Sequence, residues 1–108
     1  MPEDTAYLII LVTTGSSQEA NNIAQELLQR KKAACVNIVP GVQSLFRWQD
    51  KVDSASEHLL IIKTRAALLD EVVALISQVH SYDVPEIIAL PIIGGSRDYL
   101  EWVGEQVK

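Results

Sequence analysis

The chain has 108 residues, 48% of them hydrophobic, with 9 Lys+Arg against 14 Asp+Glu for a formal net charge of -5. That length supports a single domain spanning residues 1–108 around one core, the scattered basic residues argue against nucleic acid as a partner, and the single cysteine excludes an intrachain disulfide framework. The longest apolar stretch, Tyr7 to Val12, is far short of the ~20 residues of a membrane helix and follows no basic segment, so the expectation is a soluble, unprocessed, cytoplasmic chain with no membrane contact.

Tyr7 to Val12 (YLIILV), closed by Thr13, Thr14 and Gly15, reads as a strand apolar on both faces. Ser16 and Glu19 then form an S-x-x-E capping box. Ala20, Ile23, Ala24, Leu27 and Leu28 follow at i, i+3, i+4, i+7 and i+8, which predicts an amphipathic helix with Arg30, Lys31 and Lys32 as a basic last turn. Ala33 to Val39 is strand-like, Pro40-Gly41 bends it, and it continues through Val42 to Trp48. A turn at Gln49, Asp50 and Lys51 leads into Glu57 to Thr64 (EHLLIIKT), giving a long bent hairpin. Val42 to Trp48 alone would reach roughly 23 Å at ~3.3 Å per residue, too far for an arm without a partner.

Leu68, Leu69, Val72, Val73, Leu75, Ile76 and Val79 make one face of a second helix over 66–79, ended by His80. Pro85 blocks continuation, Glu86 to Leu90 is a further strand, and beyond Gly94-Gly95 Ser96 caps a short final helix. The order is an α+β plan, ferredoxin-like βαββαβ with an additional C-terminal helix, in which both main helices cover one face of an antiparallel sheet. The other face should then be polar, yet Leu8, Ile10 and Val12 alternate with Tyr7, Ile9 and Leu11, and Leu59 and Ile61 with Leu60 and Ile62, so both faces are apolar. Leaving such side chains in water forfeits about 1.5 to 3 kcal/mol each, so the pattern predicts burial against further copies of the chain, the last helix being too short to cover it all.

His80 is a metal-ligand or proton-shuttle type near neutral pH, against the plainer reading of a histidine set by the helix C-terminus. Its neighbours Tyr82, Asp83 and Glu86 offer only oxygen. Cys35 reads as a small hydrophobe, with a soft copper ligand as the alternative although no C-x-x-C, C-x-H or H-x-H spacing accompanies it. Glu57 and Lys63 flank the apolar part of their strand as ladder or cross-subunit ion-pair residues. Trp48 and Tyr82 are candidates to line a cleft, Trp48 more simply as an interface anchor. No phosphate-binding fingerprint and no ordered Ser, His and Asp set is present, so no enzyme is expected.

The blocks AACVNIVPGVQSLFRW, EHLLIIKT and HSYDVPEIIALPI, followed by DYLEW, together resemble the CutA family of divalent-cation tolerance proteins, in order and spacing from Leu8 to Trp102. The resemblance implies a cytoplasmic homotrimer similar in architecture to the PII signalling proteins, with the hairpin arm reaching a neighbouring subunit and ligands held in inter-subunit clefts. It implies an association with copper and other divalent cations. Members proposed to bind copper use a cysteine near the end of the first strand and two adjacent histidines before an HPYE-like motif. Here Val12, Val79 and His80 stand at those places, and Ser81 and Asp83 replace the motif's proline and glutamate, while Tyr82, Pro85 and Glu86 fit it. The expectation is a trimeric binder of Cu(II), another divalent cation or a small ligand, with His80 as the metal residue and Tyr82, Glu86, Lys63, Glu57, Trp48 and Cys35 as cleft candidates. The alternative is a PII-like signalling or assembly scaffold acting through protein partners without a tight metal site.

Overall fold

The computed structural model describes residues 6–108. Four antiparallel strands, β1 (Tyr7–Thr14), β2 (Cys35–Trp48), β3 (Lys51–Arg65) and β4 (Ile87–Pro91), lie in the order β2-β3-β1-β4. The helices are α1 (Ser17–Gln29), α2 (Leu69–Val79), which follows a 3-10 turn over Ala66–Leu68, and α3 (Arg97–Gln106). This is the ferredoxin-like arrangement expected, with the strand boundaries displaced by one or two residues and the start of β3 by six. β1 runs on through Thr13 and Thr14, and β3 begins at Lys51, because the polar Lys51–Ser56 segment pairs with β2 all the way to the tip.

The core is one layer between the helices and one sheet face. Leu8, Ile10 and Val12 of β1 and Leu60 and Ile62 of β3 pack against Ala20, Ile23 and Leu27 of α1 and Val72 and Ile76 of α2, all buried. The period of 2 in the strands meets the period of 3.6 in the helices there. Ser16 caps α1 by accepting the Glu19 N–H, but the box closes in one direction only, since the Glu19 carboxylate turns instead to Ser81. The basic trio lies just past the helix and not in its last turn. Arg30 is the C-cap, Lys31 has φ 59, and the Lys32 and Lys31 N–H groups donate back to the Leu27 and Leu28 carbonyls at 2.8 and 3.1 Å. That is a Schellman ending with lysine in the place glycine usually takes.

The hairpin bends where the sequence predicts. Register shifts between Val39 and Val42, with Gly41 at φ 69. At the tip Gln49 and Asp50 both have positive φ (51 and 63), so a two-residue turn joins Trp48 to Lys51.

The second sheet face carries Tyr7, Ile9, Leu11, Leu59, Ile61, Ile88 and Leu90, opposite in alternation to the core residues. α3 covers one end of it. Val103 is fully buried, Gly104 sits where a Cβ would be 3.1 Å from the Tyr7 hydroxyl, and the chain then crosses to α1, where the Lys108 N–H meets the Lys31 carbonyl. The remainder stays open, with Ile88 51% and Leu90 47% exposed.

Candidate functional site

His80 lies at the junction of α2 with the loop leading to β4, and its side chain is fully buried. Its backbone N–H closes α2 by donating to the Ile76 carbonyl at 2.9 Å, while the imidazole turns away from the helix end. Nε2 is 2.8 Å from the Thr13 carbonyl of β1, and Nδ1 accepts the Tyr82 N–H at 3.0 Å. The pair of bonds specifies the neutral imidazole with the proton on Nε2. Both ring nitrogens are thus used within the fold, and ligation of a metal by His80 requires the loss of one of these bonds. Among the described residues no three His, Cys, Asp or Glu side chains are grouped to hold a metal ion. A resident copper centre therefore does not fit the donors that one chain brings together.

The adjoining loop is held from two directions. Glu19 of α1 accepts the Ser81 N–H at 2.7 Å and the Ser81 hydroxyl at 3.1 Å, with His80 Nδ1 3.8 Å away. Burial works against the Glu19 charge, yet the backbone and side-chain hydrogen bonds from Ser81 outweigh it and bring the carboxyl below its usual range. A proline at position 81 would have neither donor. On the other side Tyr82 donates its hydroxyl to Glu57 Oε2 of β3 at 2.9 Å, and burial, followed by that bond and the Glu57 charge, pushes the phenol up to about 12. Gly15 leaves the room this needs, since a Cβ there would stand 3.2 Å from the Tyr82 oxygen.

Tyr82 and Glu57 line the inner end of a cleft of about 840 Å³ that runs along the hairpin arm as far as Trp48, with the 82–86 segment opposite. Its walls include Phe46 and Trp48 of β2, Asp53 of β3, and Asp83 and Glu86 of the loop. Four carboxylates, from Asp53, Glu57, Asp83 and Glu86, face this space, and no lysine or arginine does. Trp48 and Phe46 remain 61% and 40% exposed beside it. Glu57 is the exception in depth, only 6% exposed.

Of the residues singled out from the sequence, the fold brings Trp48, Glu57, Tyr82 and Glu86 together and sets His80 directly behind them. Lys63 and Cys35 are elsewhere. They are cross-strand partners at the α3 end of the open face, where the Lys63 ammonium contacts Asn37 Oδ1 and stands 3.8 Å from Cys35 Sγ. Tyr99 of α3 closes over that group, its phenol pushed up by burial and by Cys35. Sequence reasoning missed Asp53 and Glu19. Asp53 falls in a polar run without strand periodicity, and Glu19 looked fully accounted for as the second half of a capping box.

The antiparallel strand order β2-β3-β1-β4 with its helices and a hairpin arm defines a ferredoxin-like domain whose second sheet face is apolar and only partly covered. The chain belongs to the family described as CutA1 divalent ion tolerance protein, which it matches over residues 8–106. It is 50% identical over 96 residues to the chloroplastic protein CutA of Arabidopsis thaliana, a match covering 89% of this chain and 53% of that one. The corresponding figures for the divalent-cation tolerance protein CutA of Thermus thermophilus are 43% over 97 residues, 90% and 94%. The chain thus spans about half the length of the plant relatives and nearly all of the bacterial one. The crystal structure of CutA1 from Oryza sativa superposes with a TM-score of 0.94 at 43% identity, covering 96% of this chain and 95% of that one. The periplasmic divalent cation tolerance protein CutA of Archaeoglobus fulgidus gives 0.92 at 41%, covering 94% and 99%. One of these relatives is named chloroplastic and another periplasmic, so the names do not agree on one compartment. No described helix is long and apolar enough to cross a membrane.

Proposed function

We propose that this CutA-family chain is a self-associating cation-binding protein, a trimer in which the acid-lined cleft is completed by a neighbouring subunit. The observation that carries the reading is the lining itself: four carboxylates line one space, and among the described residues no basic side chain does. Clefts lined by one sign of charge focus the field and raise the local concentration of opposite ions. The cleft oxygens suit hard divalent cations that keep part of their water, whereas copper favours the imidazole nitrogens that His80 has committed elsewhere. The role is that of a binder and not a catalyst, and the partly buried Cys35 suits a reducing compartment such as the cytoplasm. The scaffold reading draws on the exposed apolar arm, Leu45 at 68% and Val52 at 69%, and predicts a protein partner in place of a cation.

Calorimetric titration of the intact protein with Mn(II), and separately with Cu(II), in a non-chelating buffer tests this. Saturable binding of at least one ion is expected, weakened about tenfold or more in Asp83→Asn with Glu86→Gln, a loss of roughly 1.4 kcal/mol. If the variant binds as the unaltered chain does, the cleft is not the site.

A further inference from the structure

The two ends of α3 are held in different ways. Ahead of it, the Ile92 N–H still donates to the Tyr7 carbonyl at 3.0 Å. Ile93 is then 87% exposed and a Cβ on Gly94 would meet nothing within 4 Å, so the connection into the helix has no packing of its own. Within α3 the buried residue is Val103, while Tyr99 and Trp102, their ring centroids 5.6 Å apart, stay exposed.

Beyond α3 the chain is fastened to the other side of the sheet. Val107 is buried in the same cluster as Leu27, Ala33 and Leu68, on the helix-covered face, four residues after Val103 has packed against the open one. The Lys108 N–H donates to the Lys31 carbonyl at 3.0 Å. The Lys32 ammonium donates to the Lys108 carbonyl at 2.8 Å and to Glu71 of α2 at 3.0 Å. A helix of 10 residues is shorter than the roughly 12 to 15 at which isolated helices are even marginal in water, so α3 persists by being docked. Segments with few buried apolar contacts open locally, at a lower free energy than the whole domain unfolds.

We infer that α3 is a strap across one end of the open sheet face, hinged at Ile93 and Gly94 and locked by Val107 and Lys32, which lifts as a unit while the sheet and its helix-covered core stay folded. Lifting it uncovers Tyr7, whose hydroxyl now lies against Gly104, and the Cys35 and Lys63 pair that Tyr99 closes over. The apolar area this face offers to another molecule is therefore adjustable. The strap lies at the opposite end of β1 and β3 from the acidic cleft and does not depend on what that cleft binds.

The test is amide hydrogen exchange of the full-length protein, in the oligomeric state it adopts, at several guanidinium concentrations below the unfolding transition. In the unaltered chain α3 is expected to exchange at least tenfold faster than β1 and with a smaller dependence on denaturant, the mark of an opening that exposes less surface. Val107→Ala should speed α3 exchange tenfold or more and Lys32→Met about threefold, the second carrying the test if the first fails to fold. Val12→Ala makes the same truncation at the far end of β1, where contacts survive the lifting, and should leave α3 exchange unchanged. A single rate and a single denaturant dependence for α3 and β1 would make α3 part of one cooperative unit and overturn the strap. Fast α3 exchange that neither lock variant alters would be fraying of the helix and overturns it too, as would acceleration by Val12→Ala equal to that by Val107→Ala.

Discussion

Glu19 and Tyr82 grip the same loop from opposite sides, and each does so through a proton equilibrium that moves on folding. For Glu19 the folded carboxyl titrates below its ordinary value of 4.5, so the charged form is the one that the Ser81 bonds favour. The stability this contributes is complete above pH about 4.5 and fades as pH falls through the lower, folded value. Glu19→Gln removes the titration. Thermal midpoints measured from pH 7 down to pH 3 should show the unaltered chain losing its advantage over the variant in the acid range; parallel curves would mean that Ser81 does not depend on the Glu19 charge. Tyr82 runs the other way. Its phenol is pushed up to about 12 from 10.0, so the neutral form is favoured, the contribution is complete below pH 10 and it disappears as pH rises through about 12. In an absorbance titration, the difference between the unaltered chain and Tyr82→Phe should show phenolate appearing near pH 12. A difference band centred at pH 10 would mean that the Glu57 bond is absent in solution. These groups also mark how much of the site was legible. The residue types of HSYDVPE identify a turn with polar side chains, but that His80 faces β1 and Ser81 faces α1 depends on contacts 67 and 62 residues away in sequence, which no local pattern encodes.

At the scale of elements, periodicity revealed most of the fold, because the buried faces of α1, α2 and β1 are set by a simple repeat of apolar residues. It failed on β3. Lys51, Asp53, Ser54 and Ser56 carry no strand signal, and the segment is a strand only because β2 holds it in register as far as the turn. Asp53 entered the cleft with it, which is why that part of the site was hidden. The end of α1 is a second such case. The Arg30, Lys31 and Lys32 run suggests a charge complement to the helix dipole, whereas the backbone uses Lys31 as the left-handed residue of a Schellman ending. A non-glycine residue there carries conformational strain. Lys31→Gly should accordingly stabilise the chain by about 0.5 to 1 kcal/mol, read as an upward shift of the denaturant midpoint at constant slope. A downward shift would show that the Lys31 side chain contributes contacts worth more than the relief of strain.

At the scale of the whole molecule, one face of the sheet is finished and the other is not. The helix-covered face has its core, while Ile88 and Leu90 on β4 stay about half exposed although they lie beside Ile9 and Leu11 of β1. Each aliphatic side chain moved from water into an interface is worth about 1.5 to 3 kcal/mol, and several such residues in one strip exceed what a charge of -5 per chain opposes across screened solution. The proposed self-association follows from that balance, as does a coupling: a cation bound in the acidic cleft would lower the repulsion between copies and so favour assembly. Ile88→Lys with Leu90→Lys places two charges in the strip without touching the core, which lies on the opposite face. Sedimentation equilibrium should then show a monomer in place of an oligomer, with the circular dichroism of the fold retained. Because assembly contributes to stability, the thermal midpoint of the unaltered chain should rise with protein concentration and that of the variant should not. A variant that still associates with the same stoichiometry would shift the contact from the sheet face to the hairpin arm, where Leu45, Trp48 and Val52 are further large apolar residues left open to solvent.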